Sequence, residues 1–333
     1  MQKTPVAIIC GSYGSEAAIS RKSGEMVLRT LPTDRWAAYL VEINHNDWQA
    51  EDINGNRYAV QRGDFSIIVE EEKVSFAVVF NAMHGSPGED GKIAGYLEVL
   101  NIPQTSCDTY SAALTFNKRD CLSVLREFGI PTAKHCEIDK GEVIDIDNII
   151  DNVGLPCFVK ANRSGSSFGV YKVSRKNELI PSIEKAFEED PQLIIEEALE
   201  GREVSVGVIS WQGKVRMLPI TEIVSENDFF DFAAKYEGLS EEITPAELPA
   251  DWEKKIEDYS TRIYRHLNLK GFSRSEFILK DGIPHLLEVN TIPGLTAESI
   301  LPQQAKAANI SLAELFENAL QEALQHSSTI QQL

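Results

Sequence analysis

Two short runs, Arg274-Ser275-Glu276 and Glu288-Val289-Asn290, stand on either side of an Asp281-Gly282 turn signal and carry the side chains most able to do chemistry in this chain. They read as a β-hairpin bearing two carboxylates, a guanidinium and a carboxamide. Residues two apart on a strand share a face, so Arg274 goes with Glu276 and Glu288 with Asn290. A three-residue loop over 281–283, with Gly282 at φ > 0, sets Glu276 opposite Glu288 and Arg274 opposite Asn290. A two-residue Asp281-Gly282 turn, which the dipeptide also suits, puts the two glutamates on opposite faces. Facing carboxylates destabilise a sheet unless a cation sits between them, and hard oxygen ligands suit Mg²⁺ held together with substrate phosphates. The plainer alternative is a solvated hairpin with its glutamates in water, their usual place. Against it, the apolar run Ile283-Pro284-His285-Leu286-Leu287 argues for a buried strand, and buried carboxylates need partners.

Phosphate would have to be held without a P-loop, because no Gly-x-x-x-x-Gly-Lys-Ser/Thr occurs and no Gly-x-Gly-x-x-Gly opens a helix. The run Lys160-Ala161-Asn162-Arg163-Ser164-Gly165-Ser166-Ser167-Phe168-Gly169 offers backbone N–H groups, hydroxyls and a lysine to a triphosphate, although a plain Gly/Ser turn reads the same way. Lys118, in a helix's first turn, opposes the dipole and points to another use for its charge. In Ile194-Ile195-Glu196-Glu197-Ala198-Leu199-Glu200 a buried strand runs out at a domain hinge, where a glutamate could accept from an adenine amino group and Glu203 could hold a ribose; as bare carboxylates both suit solvent equally. His84, in His-Gly-Ser-Pro-Gly-Glu-Asp-Gly, could touch a substrate anion or simply be exposed. Lys235-Tyr236, in the polar aromatic stretch 225–240, reads as part of a lid over a cleft. No Gly-x-Ser-x-Gly and no readable Ser-His-Asp arrangement is present.

The elements that must position these groups follow α/β order. Strands are expected at 6–10, 36–43, 65–69 and 76–80, the first opening a parallel sheet, with a helix at 91–100. The loops Gly11-Ser12-Tyr13-Gly14-Ser15-Glu16 and Met83 to Gly91 lie at carboxyl ends of strands, where α/β sheets build sites. Asn117 caps a helix through Phe128. Strands follow at 157–160, 170–173 and 193–195, with a helix at 177–189. Beyond the boundary at Glu200-Gly201 come strands at 203–209 and 215–220, a helix at 251–267, the hairpin, and a closing helix at 312–326. With 333 residues and 43% hydrophobic content the chain can bury cores for two or three domains. Its net charge of −19 excludes nucleic acid and anionic membranes as partners, and any phosphate must meet a local basic cluster or a metal. Cys10, Cys107, Cys121, Cys136 and Cys157 are scattered, without Cys-x-x-Cys, and read as buried hydrophobes of a reducing cytosol. The apolar run at 6–10 is too short for a signal peptide or membrane span.

Taken in order, these motifs, closing with Leu287-Glu288-Val289-Asn290-Thr291-Ile292-Pro293-Gly294-Leu295-Thr296, resemble the D-alanine–D-alanine ligase family of the ATP-grasp superfamily over nearly the whole chain. The resemblance implies a three-domain α/β ATP-grasp fold with an N-terminal parallel-sheet, Rossmann-like domain: 1–106 for substrate, 107–200 as central ATP-grasp subdomain, 201–333 as C-terminal subdomain with the metal site. It implies ATP-dependent joining of two D-alanines through an acyl phosphate for peptidoglycan, two Mg²⁺ ions for which Mn²⁺ can substitute, a cytoplasmic location and a homodimer. Glu16 would hold the first ammonium, linked through Ser166 to Tyr236 in the lid, with His84 beside the substrate. Arg274 would steady the transferring phosphoryl group; Glu276, Glu288 and Asn290 would hold metal. Lys118 and Lys160 would hold phosphate oxygens, Glu196 and Leu199 the adenine and Glu203 the ribose, with Ser166, Ser167, Glu197, Lys235 and Asn290 also binding the nucleotide. Ser299 would bind the second substrate's carboxylate, with Gly294 and Ile300 also at that substrate. Glu276 stands where the family often has Asp, and Glu197 and Ala198 depart from the usual adenine pocket. Tyr236 favours the dipeptide over D-alanyl-D-lactate, the nearest rival; a non-catalytic ATP-binding protein would be expected to have lost Arg274 or a metal carboxylate, and none is lost.

Overall fold

The computed structural model describes residues 3–14, 16–165, 168–225 and 240–330. The first segment holds β1 (Thr4–Gly11), α1 (Ala17–Thr30), β2 (Trp36–Ile43), β3 (Trp48–Glu51), β4 (Arg57–Ala59), β5 (Ser66–Val69), β6 (Glu72–Ser75), β7 (Val78–Asn81) and α2 (Lys92–Val99). Its sheet has the order β4-β3-β2-β1-β7, with β1 parallel to both neighbours and β3 and β4 added antiparallel. Val6 to Cys10 are fully buried, as a central parallel strand covered on both faces must be. The strand expected at 65–69 lies outside this sheet, pairing with β6 and bridging Gln61 through Ser66. The helix α1 was not anticipated, because its buried face is small rather than apolar: Ser20, Ser23, Gly24 and Val27. A Cβ on Gly24 would come within 2.7 Å of Leu40, so smallness brings α1 close against the sheet.

The second segment runs α3 (Thr109–Phe116), α4 (Lys118–Glu127), β8 (His135–Asp139), α5 (Ile146–Val153), β9 (Cys157–Ala161), β10 (Val170–Val173), α6 (Leu179–Ala186) and β11 (Gln192–Glu197). Asn117 caps α4 by accepting from the Asp120 N–H, as expected. The sheet is antiparallel in the order β10-β9-β11-β8. The third segment contributes β12 (Arg202–Trp211), β13 (Lys214–Met217), β14 (Thr221–Ser225), β15 (Ser240–Ile243), α7 (Ala250–His266), β16 (Phe272–Lys280), β17 (Ile283–Asn290), α8 (Ile300–Ala307) and α9 (Leu312–Ile330). Its sheet runs β15-β14-β12-β16-β17, with β13 also on β12.

Two shared cores hold the cleft walls in place. Phe316 and Leu320 of α9 enter the core under β1 and β7, with Phe316 edge-on to Phe80 at 5.4 Å. Leu122 and Leu125 of α4 pack with Phe277, Leu286 and Val289 of the third sheet. All five cysteines are free; burial pushes the thiols of Cys10, Cys107 and Cys121 up to about 12, which keeps them protonated and inert.

Candidate active site

The hairpin β16–β17 sets Glu276 opposite Glu288 and Arg274 opposite Asn290. The pairing is the one a three-residue loop would give, but the loop is not. Lys280 pairs with Ile283, so Asp281-Gly282 is a two-residue turn, with φ of 52° and 73° as that hairpin turn requires. The register then slips between Glu276 and Phe277, where Glu276 pairs with Glu288 and Phe277 with Leu286. Leu287 is thus the extra residue of a β-bulge. The bulge lets Pro284 and Leu286 stay in the core while Glu288 still turns onto the face of Glu276.

Each carboxylate draws a cation. Glu276, 4% exposed, pairs with Arg274, whose guanidinium also donates to Ser205 Oγ at 3.0 Å. Glu288 Oε2 lies 3.1 Å from Lys118 Nζ, which donates to the Ser164 carbonyl at 2.8 Å and so ties the 160–169 loop to the hairpin. Lys160 Nζ and Glu196 Oε2 are 2.6 Å apart and buried; they are diagonal neighbours on β9 and β11, where Lys160 faces Ile194. Burial alone would lower the Lys160 pKa, but Glu196, with Glu288 and Glu203 behind it, outweighs that and holds it above the ordinary value. A hard cation fits this chemistry: two carboxylates and a carboxamide share one face that demands positive charge. Among the described residues no group of three His, Cys, Asp or Glu gathers, so such a cation would complete its shell with phosphate oxygens and water.

Across the cleft, Glu16 sits at the N-terminus of α1 and its carboxylate is wedged between two glycines. A Cβ on Gly85 would lie 2.7 Å from Glu16 Oε2, and one on Gly165 2.7 Å from Oε1. His84 is buried rather than exposed; its Nε2 is 3.0 Å from Ser23 Oγ. Burial, with Arg274 adding to it against a backbone hydrogen bond to Ile292, lowers its pKa to about 4, so the imidazole is neutral at pH 7 and brings no charge to a substrate anion. Glu89, which sequence reasoning quoted without a role, is buried and accepts from the Gly85 N–H at 2.6 Å. Burial and the Glu16 charge push it up to about 8. The signal available in the sequence was a carboxylate locked in a Gly-Glu-Asp-Gly turn.

A cavity of about 230 Å³ joins the two walls; Glu16, Lys22, Lys118, Arg274, Glu288 and Ser299 are among the residues lining it. Gly294 approaches Ser299 so closely that a Cβ would fall 2.7 Å from its Oγ, which is bonded to Thr296 Oγ1 at 2.8 Å. Ser299 precedes α8, whose first residue Ile300 is buried. Gln304 anchors that helix to β12 through the Gly207 N–H at 2.9 Å and the Ser205 carbonyl at 2.8 Å. At the hinge, Glu197 accepts from the Lys134 N–H at 3.0 Å, Leu199 is half-buried, and Glu203 lies on β12 opposite Ile278. Ser166, Ser167, Lys235 and Tyr236 lie outside the described residues.

A family model described as the D-ala D-ala ligase N-terminus matches residues 5–107, and one described as the D-ala D-ala ligase C-terminus matches 124–321. The chain belongs to the D-alanine–D-alanine ligase family. The D-alanine–D-alanine ligase of Flavobacterium johnsoniae is 52% identical over 319 residues, which is 96% of this chain and 99% of that one. Among solved ligase structures, that of Bacillus anthracis complexed with ATP superposes with a TM-score of 0.80 at 28% identity, covering 98% of this chain and 99% of that one. The VanG D-Ala:D-Ser ligase of Enterococcus faecalis reaches 0.84 at 29% identity, covering 97% and 100%. The ATP-grasp fold expected of a ligase in this family is therefore the fold observed. No helix among the described residues is long and apolar enough to cross a membrane.

Proposed function

We propose that the chain uses ATP to join two D-alanine molecules. The observation that carries this reading is one cleft with a carboxylate fit for an ammonium on one wall, Glu16, and Arg274, Lys118 and two facing carboxylates fit for phosphate and metal on the other. The first D-alanine is held by its ammonium at Glu16. Its carboxylate oxygen attacks the γ-phosphorus of ATP, the bond to the β-phosphate oxygen breaks, and ADP leaves. Arg274, fixed by Glu276 and Ser205, meets the charge on the transferring oxygens. Lys118 and Lys160 hold phosphate oxygens, and Ser166, Ser167 and Lys235 are further nucleotide ligands. Glu196, Glu197 and Leu199 face the adenine, and Glu203 the ribose. The amine of the second D-alanine, received at Gly294, Ser299 and Ile300, then attacks the acyl carbon, and inorganic phosphate leaves. Mg²⁺ at Glu276, Glu288 and Asn290, or Mn²⁺ in its place, would neutralise phosphate charge as it develops.

Neutral His84 keeps its place as a spacer between α1 and the segment at Ile292. The three sheets support a division into 1–106, 107–200 and 201–333, and the reading extends to a cytoplasmic homodimer supplying peptidoglycan precursors, with Tyr236 of the lid favouring an amine over D-lactate as acceptor. The test is ADP release with D-alanine, L-alanine, or D-alanine plus D-lactate or D-serine, with products identified by mass. D-alanyl-D-alanine formed only with D-alanine supports the reading; ADP release without any condensed product overturns it.

A further inference from the structure

Arg119, the second residue of α4, is 7% exposed and takes no part in the reaction. Its guanidinium donates from Nε to the Leu193 carbonyl at 3.0 Å and from one terminal nitrogen to the Ile138 carbonyl at 2.5 Å, the same nitrogen also reaching Leu193. The other terminal nitrogen meets Asp139 Oδ1 at 2.6 Å, on a carboxylate half open to solvent. Leu193 of β11 and Ile138 of β8 are paired neighbours in the second sheet, so one side chain holds two strands at once. The backbone adds to this hold. The Arg119 N–H donates to Asn162 Oδ1 at 3.0 Å and the Lys118 N–H to the Asn162 carbonyl at 3.3 Å, while the Asn162 N–H donates to the Gln192 carbonyl at 3.0 Å.

These bonds run against the way α4 is packed. Its apolar residues Leu122 and Leu125 belong to the core of the third sheet, with Phe277, Leu286 and Val289, and of the second sheet only Ile194 enters that core among the described residues. Lys118 pairs the same way, with Glu288 of β17. Hydrophobic packing alone would leave α4 riding with the third sheet. Burying a guanidinium is expensive, and one half-exposed carboxylate with neutral carbonyls offsets it only in part; an apolar residue would fill the space without that cost. What the planar fork adds is a fixed distance and angle, which a flexible or apolar side chain does not supply. The distance it fixes is one a nucleotide has to span. Lys118, assigned to phosphate, immediately precedes Arg119, and Glu196, assigned to adenine, lies three residues beyond Leu193 on β11.

We propose that Arg119 is a positioning residue for the nucleotide: by holding the first turn of α4 to β8 and β11 it sets the span between Lys118 at the phosphates and Glu196 at the adenine. The inference rests on the reading of those two side chains as nucleotide ligands and deepens it. Arg119 touches no substrate, so it acts on ATP only through Lys118.

The test measures binding of ATP with Mg²⁺, and of adenosine, to wild type, Arg119→Met, Arg119→Lys and Asp139→Asn by titration calorimetry without D-alanine. The partners assigned to adenosine, Glu196, Leu199 and Glu203, lie on one continuous stretch of chain and need no register with α4, whereas ATP needs both ends. Arg119→Met should weaken ATP about 10-fold, the weight of one misaligned charge-assisted hydrogen bond, with adenosine within about 2-fold. Arg119→Lys keeps the charge without the fork and should fall with Arg119→Met; it carries the comparison if the methionine variant does not fold. Asp139→Asn leaves the carbonyl contacts in place and should keep the wild-type ratio of ATP to adenosine affinity. An unchanged ratio in the Arg119 variants overturns the inference, and so does an equal loss of ATP and adenosine, which would mark Arg119 as support for the sheet at large. Wild-type protein that binds no ATP would overturn the nucleotide reading and this inference together, whereas normal ATP turnover with an unaltered ratio overturns this inference alone.

Discussion

Replacing Glu196 by leucine should strand a buried positive charge. Lys160 and Glu196 are 2.6 Å apart with side chains 15% and 3% exposed, so water screens them little. Across 2.6 Å the attraction is roughly 6 kcal/mol at an effective dielectric of about 20. The cost of taking both charges out of water offsets much of that, and cutting one partner from a buried pair typically costs about 3–5 kcal/mol. Glu196→Leu belongs near the upper end, while Glu196→Gln, which keeps an acceptor oxygen for the amine, belongs near ~3 kcal/mol. The assay is urea unfolding read by tryptophan fluorescence and by circular dichroism, taken where the two transitions coincide. Lys160→Met combined with Glu196→Leu replaces the pair by apolar side chains and should recover most of the loss, giving a coupling of at least about 2 kcal/mol. A coupling under ~0.5 kcal/mol, the spread expected of independent sites, would refute the claim that the two charges depend on each other. Both variants should also weaken ATP binding, since the same two side chains are assigned to phosphate and adenine.

Glu288→Gln should abolish ATP turnover with the far-ultraviolet circular dichroism unchanged, and wild-type activity would sink the metal assignment. Gly165→Ala puts a methyl 2.7 Å from Glu16 Oε1; the displaced carboxylate should raise the KM for the first D-alanine about 10-fold, as loss of one charged hydrogen bond does, with the ATP KM unchanged. Glu89 titrates at about 8 in the fold against an ordinary 4.5, so the folded state holds a proton that the unfolded chain has released between those values. The stability it contributes is present below 4.5 and falls as pH rises through 8, by about 1.4 kcal/mol per pH unit; Glu89→Gln should flatten urea midpoints between pH 6.5 and 8. His84 works in the opposite sense: its folded value near 4 lies below the ordinary 6.5, so stability falls as pH drops from 6.5 to 4. Between 4.5 and 6.5 the two slopes oppose, and Glu89→Gln should expose the histidine's loss there.

What the sequence yielded and what it withheld have physical causes. The facing of Glu276 and Glu288 was legible because strand alternation leaves only two choices. The mechanism behind it was not: the turn obeys the Asp-Gly signal with two residues, and the bulge at Leu287 makes up the difference. Its trace is the burial rhythm, which marks 284, 286 and then 289, a slip that alternation counted from one end alone does not reveal. Helix α1, which Glu16 caps, escaped periodicity, because a buried face of Ser20, Ser23 and Gly24 with Val27 alone apolar makes no apolar stripe. The Lys160–Glu196 pair depends on which strands become neighbours, information held in long-range pairing rather than in either run. The nucleotide side was found through motif order; the buried state of His84 and Glu89 required the loop to be folded between α1 and the third sheet.

The central claim is that ATP activates a carboxylate by phosphorylating it. D-alanine labelled with ¹⁸O in both carboxylate oxygens tests this directly when supplied with ATP and Mg²⁺, with the inorganic phosphate released during dipeptide formation analysed by mass. The attacking carboxylate oxygen becomes the bridge of the acyl phosphate and departs with phosphorus when the amine displaces it, so one ¹⁸O should appear in each phosphate. Phosphate free of label, alongside dipeptide, would contradict the account and require ATP to be spent on some bond other than one to the donor carboxylate.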